Sequence, residues 1–84
     1  MQNKFYVIVS VPFIERDFDF YIPINKKVGT IKNLIIKMVI EESENAFFDD
    51  GCKSLYDKKS GERILEDIFV KDSIIQNGSK LLLY

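Results

Sequence analysis

Two neighbouring stretches that alternate with a period of two constrain this chain more than any other feature. From Lys4 to Val11, the residues Phe5, Val7, Val9 and Val11 fall on one face and Tyr6, Ile8 and Ser10 on the other. From Asp17 to Ile24 the pattern returns, with Phe18, Phe20, Ile22 and Ile24 inward and Asp17, Asp19, Tyr21 and Pro23 outward. Such alternation, rich in β-branched and aromatic residues, specifies strands that bury one face. Pro12 to Arg16 is short enough to join them as a hairpin. Pro23 has no N–H to give to a ladder, which predicts that the second strand lies at a sheet edge.

The period then changes. Thr30 reads as a helix N-cap, and Ile31, Leu34, Ile35 and Met38 form one apolar stripe of a helix running to about Ser43 or Glu44. At roughly 100° per residue, Ile36 and Ile40 sit together opposite that stripe, with Val39 between the faces. Two readings of the pair stand: a helix-borne contact such as a homodimer, or a broad apolar face covered by the loop at Phe47 and Phe48. After a loop from Asn45 to Gly51, short strands are expected at Ser54–Asp57, Glu62–Leu65 and Lys80–Tyr84. Turns fall at Lys58–Gly61 and Asn77–Gly78, and Ile68, Val70 and Ile75 anchor the connection between them. The Leu81-Leu82-Leu83 run suits a central strand. Hairpin, single crossover helix and closing strand predict one α+β domain over residues 1–84, a mixed four- to five-stranded sheet with the helix across one face.

Composition narrows the function. A chain of 84 residues with 46% hydrophobic content holds one small, well-packed core. Twelve basic residues against 13 acidic ones give a net charge of −1, too balanced for a nucleic-acid or membrane-surface binder. Histidine is absent, which excludes histidine-based catalytic triads and imidazole metal sites. Cys52 stands alone, without a disulfide partner or an activating base; it reads as a partly buried small residue in a reducing, cytoplasmic setting. No phosphate loop, metal-ligand cluster or acid–base pair is present, so neither a cofactor nor catalysis is expected. Glu41, Glu42, Glu44, Asp49 and Asp50 form a solvated acidic end to the helix, or a docking site for a basic partner. Lys58, Lys59 and Arg63 make a basic turn.

The element order is that of the β-grasp, or ubiquitin-like, fold. Asp72 to Leu83 resembles the C-terminal third of ubiquitin, with an Asp, an apolar anchor, a polar turn and a closing strand. Phe20-Tyr21-Ile22-Pro23-Ile24, Val28 and Ile31-Lys32-Asn33-Leu34-Ile35 are similar to the YukD/EsaB proteins of Gram-positive bacteria. That resemblance implies an accessory role in type VII (ESX-like, WXG100-exporting) secretion. It also implies protein partners among the membrane components, such as the motor ATPase or the pseudokinase subunit. The sequence stops at Tyr84 without the Gly-Gly tail of conjugated relatives, so neither conjugation nor sulfur carriage is expected. By alternation and by the resemblance, Leu55, Leu81 and Leu83 point inward. Tyr56, Leu82 and Tyr84 then share the outer face with Tyr6 and Ile8, which makes these five the candidate protein-binding surface. The alternative is a self-associating structural or regulatory protein that pairs through Ile36 and Ile40 or through a free sheet edge.

Overall fold

In the computed structural model, which describes residues 3–84, the two alternating stretches form a hairpin. Strand β1 (Lys4–Val11) pairs antiparallel with β2 (Arg16–Pro23), in a register that sets Tyr6 opposite Tyr21 and Ile8 opposite Asp19. Their connection is a single tight helical turn at Pro12–Ile14, closed by Glu15 at a left-handed φ of 53°. Val7, Val9 and Val11 are fully buried, and Phe18, Phe20 and Ile22 face them from β2 into one core. Helix α1 (Val28–Glu42) crosses this face. Strands β3 (Leu55–Asp57) and β4 (Lys80–Leu83) complete a four-stranded sheet in the order β2-β1-β4-β3. β4 runs parallel to β1 and antiparallel to β3, so the closing strand is central and β2 is an edge, as Pro23 demanded. No helix is long and apolar enough to cross a membrane, among the described residues.

The helix begins earlier than Thr30. Lys27 is the N-cap and its side chain makes no capping bond. The first free N–H groups are instead met by main-chain carbonyls of the connection that precedes β4. Val28 N–H donates to Ile68 O at 2.9 Å and Gly29 N–H to Glu66 O at 2.9 Å. Gly29 permits this approach, because a Cβ there would sit 3.2 Å from the Glu66 carbonyl oxygen.

With Val28 included, the buried stripe becomes Val28, Ile31, Ile35, Ile36 and Val39. Its centre lies about 70° around the helix from the stripe that the sequence pattern suggests. Ile36 is only 5% exposed and Ile40 packs half-buried against the core, whereas Leu34 and Met38 are 49% and 46% exposed. A surface contact through Ile36 and Ile40 therefore lacks the outward side chains it requires.

Three smaller expectations change. Glu62–Leu65 forms no strand; it contributes one isolated bridge, Arg63 to Tyr56, and buries Ile64. Ile24 falls outside β2 but still packs against the core. Cys52 is exposed, because the main chain around it is held by turns rather than by a strand. In those turns Asp49 Oδ1 accepts the Gly51 N–H and Asp50 Oδ1 accepts the Cys52 N–H, both at 2.9 Å. The two carboxylates thus shape the loop.

Candidate functional site

The sheet face turned away from α1 is assembled by register. In one row Tyr56 of β3 pairs with Leu82 of β4, Leu82 with Ser10 of β1, and Ser10 with Asp17 of β2. In the next, Lys80 lies beside Ile8, and Ile8 beside Asp19. Tyr6 and Tyr21 form a third, their ring centroids 5.4 Å apart. Tyr6, Ile8, Tyr56 and Leu82 are all half-buried, each screened by its cross-strand neighbours, while Tyr21 is exposed. The sequence-derived face thus exists as a strip of Ile8, Leu82 and Tyr56 with Tyr6 at its end.

Charge divides this surface. Asp17 and Asp19 line its β2 margin, and Lys80 stands on β4. Lys58, just beyond β3, donates from Nζ to the Ser10 Oγ at 3.0 Å and so lies across the face. Asp19 lies diagonally across the ladder from Tyr6. Partial desolvation, followed by the charge and hydrogen-bonding pull of the Asp19 carboxylate and by Tyr21, raises the Tyr6 pKa above its ordinary 10.0. The same alternation that marked the apolar residues places these charges among them; they become part of the site once the cross-strand register is known.

Tyr84 does not join the strip. It follows β4, with its N–H donated to Ser54 O at 3.0 Å, and lines a separate hollow with Pro12, Phe13, Phe47 and Lys53. There the Lys53 Nζ lies 5.7 Å from the Phe13 ring and 5.6 Å from that of Phe47. Phe13 also meets the exposed Phe48 edge-on, with centroids 6.1 Å apart. Phe13 comes from the β1–β2 turn, Phe47 and Phe48 from the loop after α1, and Tyr84 from beyond β4, so no local pattern in the sequence links them.

The fold defined by this sheet and helix is ubiquitin-like, and the solved structures it resembles agree. A chain of the MycP5-free ESX-5 inner membrane complex superposes with a TM-score of 0.81 at 13% identity, covering 99% of this chain and 21% of that one. The ubiquitin-like domain of an Arabidopsis thaliana protein matches with a TM-score of 0.70 at 18% identity, over 99% of this chain and 78% of that one. A structure described as molecular mimicry of SUMO in DNA repair matches at 0.69 and 17% identity, over 100% and 94%. This chain therefore spans about a fifth of the ESX-5 component that it resembles. At these identities the likeness is one of fold. No protein-family model matches the sequence, and no curated protein matches it at a significant level.

Proposed function

We propose that this chain is a ubiquitin-like protein-binding module that works through its open sheet face, as a cytoplasmic accessory or regulatory component of a YukD/EsaB-type type VII secretion system. The observation that carries the binding role is the row Tyr56–Leu82–Ser10 with Ile8 and Tyr6 beside it, an apolar strip bordered by Asp17 and Asp19 on β2, flanked at Ile8 by Lys80 and reached at Ser10 by Lys58. Apolar centre with charged margins is the anatomy of a protein-recognition surface. Support for the secretion role comes from the sequence likeness to YukD/EsaB and from the fold shared with an ESX-5 membrane-complex chain. The partners on this reading are cytoplasmic parts of the motor ATPase or of the pseudokinase subunit, and the module acts by binding them, not by catalysis.

The test is titration of isotope-labelled protein with purified cytoplasmic domains of the host's motor ATPase and pseudokinase subunit. Binding by one of them, with resonance shifts centred on Ile8, Tyr56 and Leu82, is the expected result. Leu82→Asp and the milder Tyr56→Ala, each confirmed folded, should weaken it about tenfold or more. Absence of binding to either domain removes the secretion assignment. Undiminished binding by both variants removes the sheet face.

A further inference from the structure

A basic hollow adjoins one end of the open sheet, and its chemistry goes beyond the sheet-face reading. The register that pairs Tyr56 with Leu82 and Asp57 with Leu81 sets Lys58 opposite Lys80, where the Lys58 N–H donates to the Lys80 carbonyl at 2.9 Å. Lys58 comes two positions after Tyr56 and Lys80 two before Leu82, so both lysines leave the sheet on its outer face. Like charges directly opposite one another weaken a ladder. No acid relieves them: the ion pairs of the described residues join Lys32 and Arg63 to Glu66 and Lys53 to Asp50, and none uses Lys58, Lys59 or Lys80. A local conflict kept without compensation is the mark of a functional position. Beside the pair, the turn after β3 and the Gln76–Ser79 turn before β4 enclose a hollow of about 680 Å³. Lys58, Lys59, Lys80, Gln76 and Ser79 line it, with half-exposed Ile74 as an apolar wall. Donors predominate there. Ser79 Oγ already accepts the Gln76 N–H at 2.8 Å, which leaves its hydroxyl proton to give. Asp57 is the one carboxylate in the lining, and its Oδ2 is taken by the Ser60 N–H at 3.0 Å. A single bond to Ser10 Oγ at 3.0 Å holds the exposed Lys58 ammonium, which can turn from there to the hollow.

We propose that this hollow binds the phosphoryl group of a phosphorylated serine or threonine carried by a segment of a partner protein. A carboxylate brings one charge and two acceptor oxygens, which leaves part of this donor set unmatched. A phosphoryl group brings close to two charges and three acceptor oxygens, and so answers Lys59, Lys80, the Ser79 hydroxyl and the Gln76 amide together. Lys58 adds a third ammonium when it leaves Ser10. Ile74 gives an apolar residue next to the phosphorylated one a surface to pack on. An anionic membrane fits less well, because Asp17 and Asp19 line the same outer face and would be pressed against it. The site is confined to one end of the sheet, which suits a single modified side chain rather than a plane of charge.

The experiment titrates labelled protein with a blocked peptide, leucine-alanine-phosphoserine-alanine-leucine, and with the same peptide carrying serine or glutamate in place of phosphoserine. Inorganic phosphate alone and phosphatidylglycerol vesicles are the other two probes. The phosphopeptide should shift the amides of Lys59, Gln76, Ser79 and Lys80 and lose affinity as salt rises. The serine peptide, the glutamate peptide and inorganic phosphate should each bind about tenfold more weakly. Lys59→Gln and Lys80→Gln should each weaken phosphopeptide binding about threefold or more, whereas Lys37→Gln, an equal change of net charge on exposed α1, should not. The phosphorus resonance adds a readout that fold alone does not move: the second ionisation of phosphoserine, ordinarily near about 6, should shift down on binding. Lys80→Gln should leave the urea midpoint unchanged or raise it, because it removes a like-charged neighbour of Lys58. No binding at millimolar phosphopeptide, equal binding of the glutamate peptide, or equal loss with Lys37→Gln would overturn the proposal. So would inorganic phosphate binding as tightly as the peptide, vesicle binding without peptide binding, or shifts confined to Ile8, Tyr56 and Leu82.

Discussion

Tyr6 is held at several points. Its N–H donates to Asn77 Oδ1 at 2.8 Å, its carbonyl accepts the Gly78 N–H, and its phenol lies in the field of the Asp19 carboxylate on the neighbouring strand. The Asn-Gly turn is thereby fastened to β1 while the phenol is tuned by a carboxylate. A phenol whose folded pKa stands above the unfolded value keeps its full contribution to stability below the ordinary value of 10.0. That contribution is lost as pH climbs from there through the raised folded value. Asp19→Asn removes the charge and the hydrogen-bonding pull of the carboxylate, so Tyr6 should titrate closer to an ordinary phenol. Following the Tyr6 ring carbon by NMR across alkaline pH checks this; an unchanged midpoint would show that partial burial alone sets it.

At the scale of the element, α1 shows how a helix with apolar residues on three sides chooses its face. Val28 and Val39 lie one above the other with Ile35 between them, and that line points at the sheet. Ile36 and Ile40 flank it on one side, Leu34 and Met38 on the other, and only the first flank is covered. Ile36→Asp should thus cost about 3 kcal/mol or more of folding stability by placing a charge in the core. Met38→Asp should stay within about 1 kcal/mol, as befits a half-exposed position. Urea denaturation of the two variants measures both values. Similar losses for the pair would contradict this orientation of the helix.

The same helix explains what the sequence could and could not reveal. Alternation in Phe5–Val11 and Phe18–Ile22 decided strands, inward faces and the hairpin, because a period-two pattern refers only to its own residues. Likewise, Pro23 marked the edge and Leu81–Leu83 the central strand. The helix start was hidden because its cap is tertiary: the partners of Val28 and Gly29 are carbonyls of Ile68 and Glu66. A stripe without Val28 lacks the residue that centres it, and the pattern then puts both flanks in the wrong place. Of the candidate surface, Tyr6, Ile8, Tyr56 and Leu82 were legible from alternation, whereas Tyr84 lies beyond the last strand, where alternation no longer governs.

At the scale of the molecule, the long connection between β3 and β4 contains little regular structure, yet it buries Ile64, Val70 and Ile75. Its docking is anchored by Lys32 of α1, whose Nζ donates to Lys53 O at 3.0 Å and to the Glu66 carboxylate at 3.1 Å. One ammonium therefore joins the helix, the approach to β3 and the connection that caps that helix. Its side chain is 15% exposed and that of Glu66 is 31%, so the pair is only weakly screened by salt. Lys32→Met keeps the apolar stem but removes the donor to the Lys53 carbonyl and leaves the Glu66 carboxylate only the Arg63 guanidinium, 3.9 Å away, and it should cost about 1–3 kcal/mol. Glu66→Gln retains an acceptor and should cost less. The double variant should be more stable than the two losses summed, since each partner's removal makes the other's less harmful. Because this tie spans three regions, the loss should appear at one midpoint whether unfolding is followed by helical dichroism or by tyrosine fluorescence. Separated midpoints would mean that the connection loosens on its own, leaving sheet and helix to fold without it.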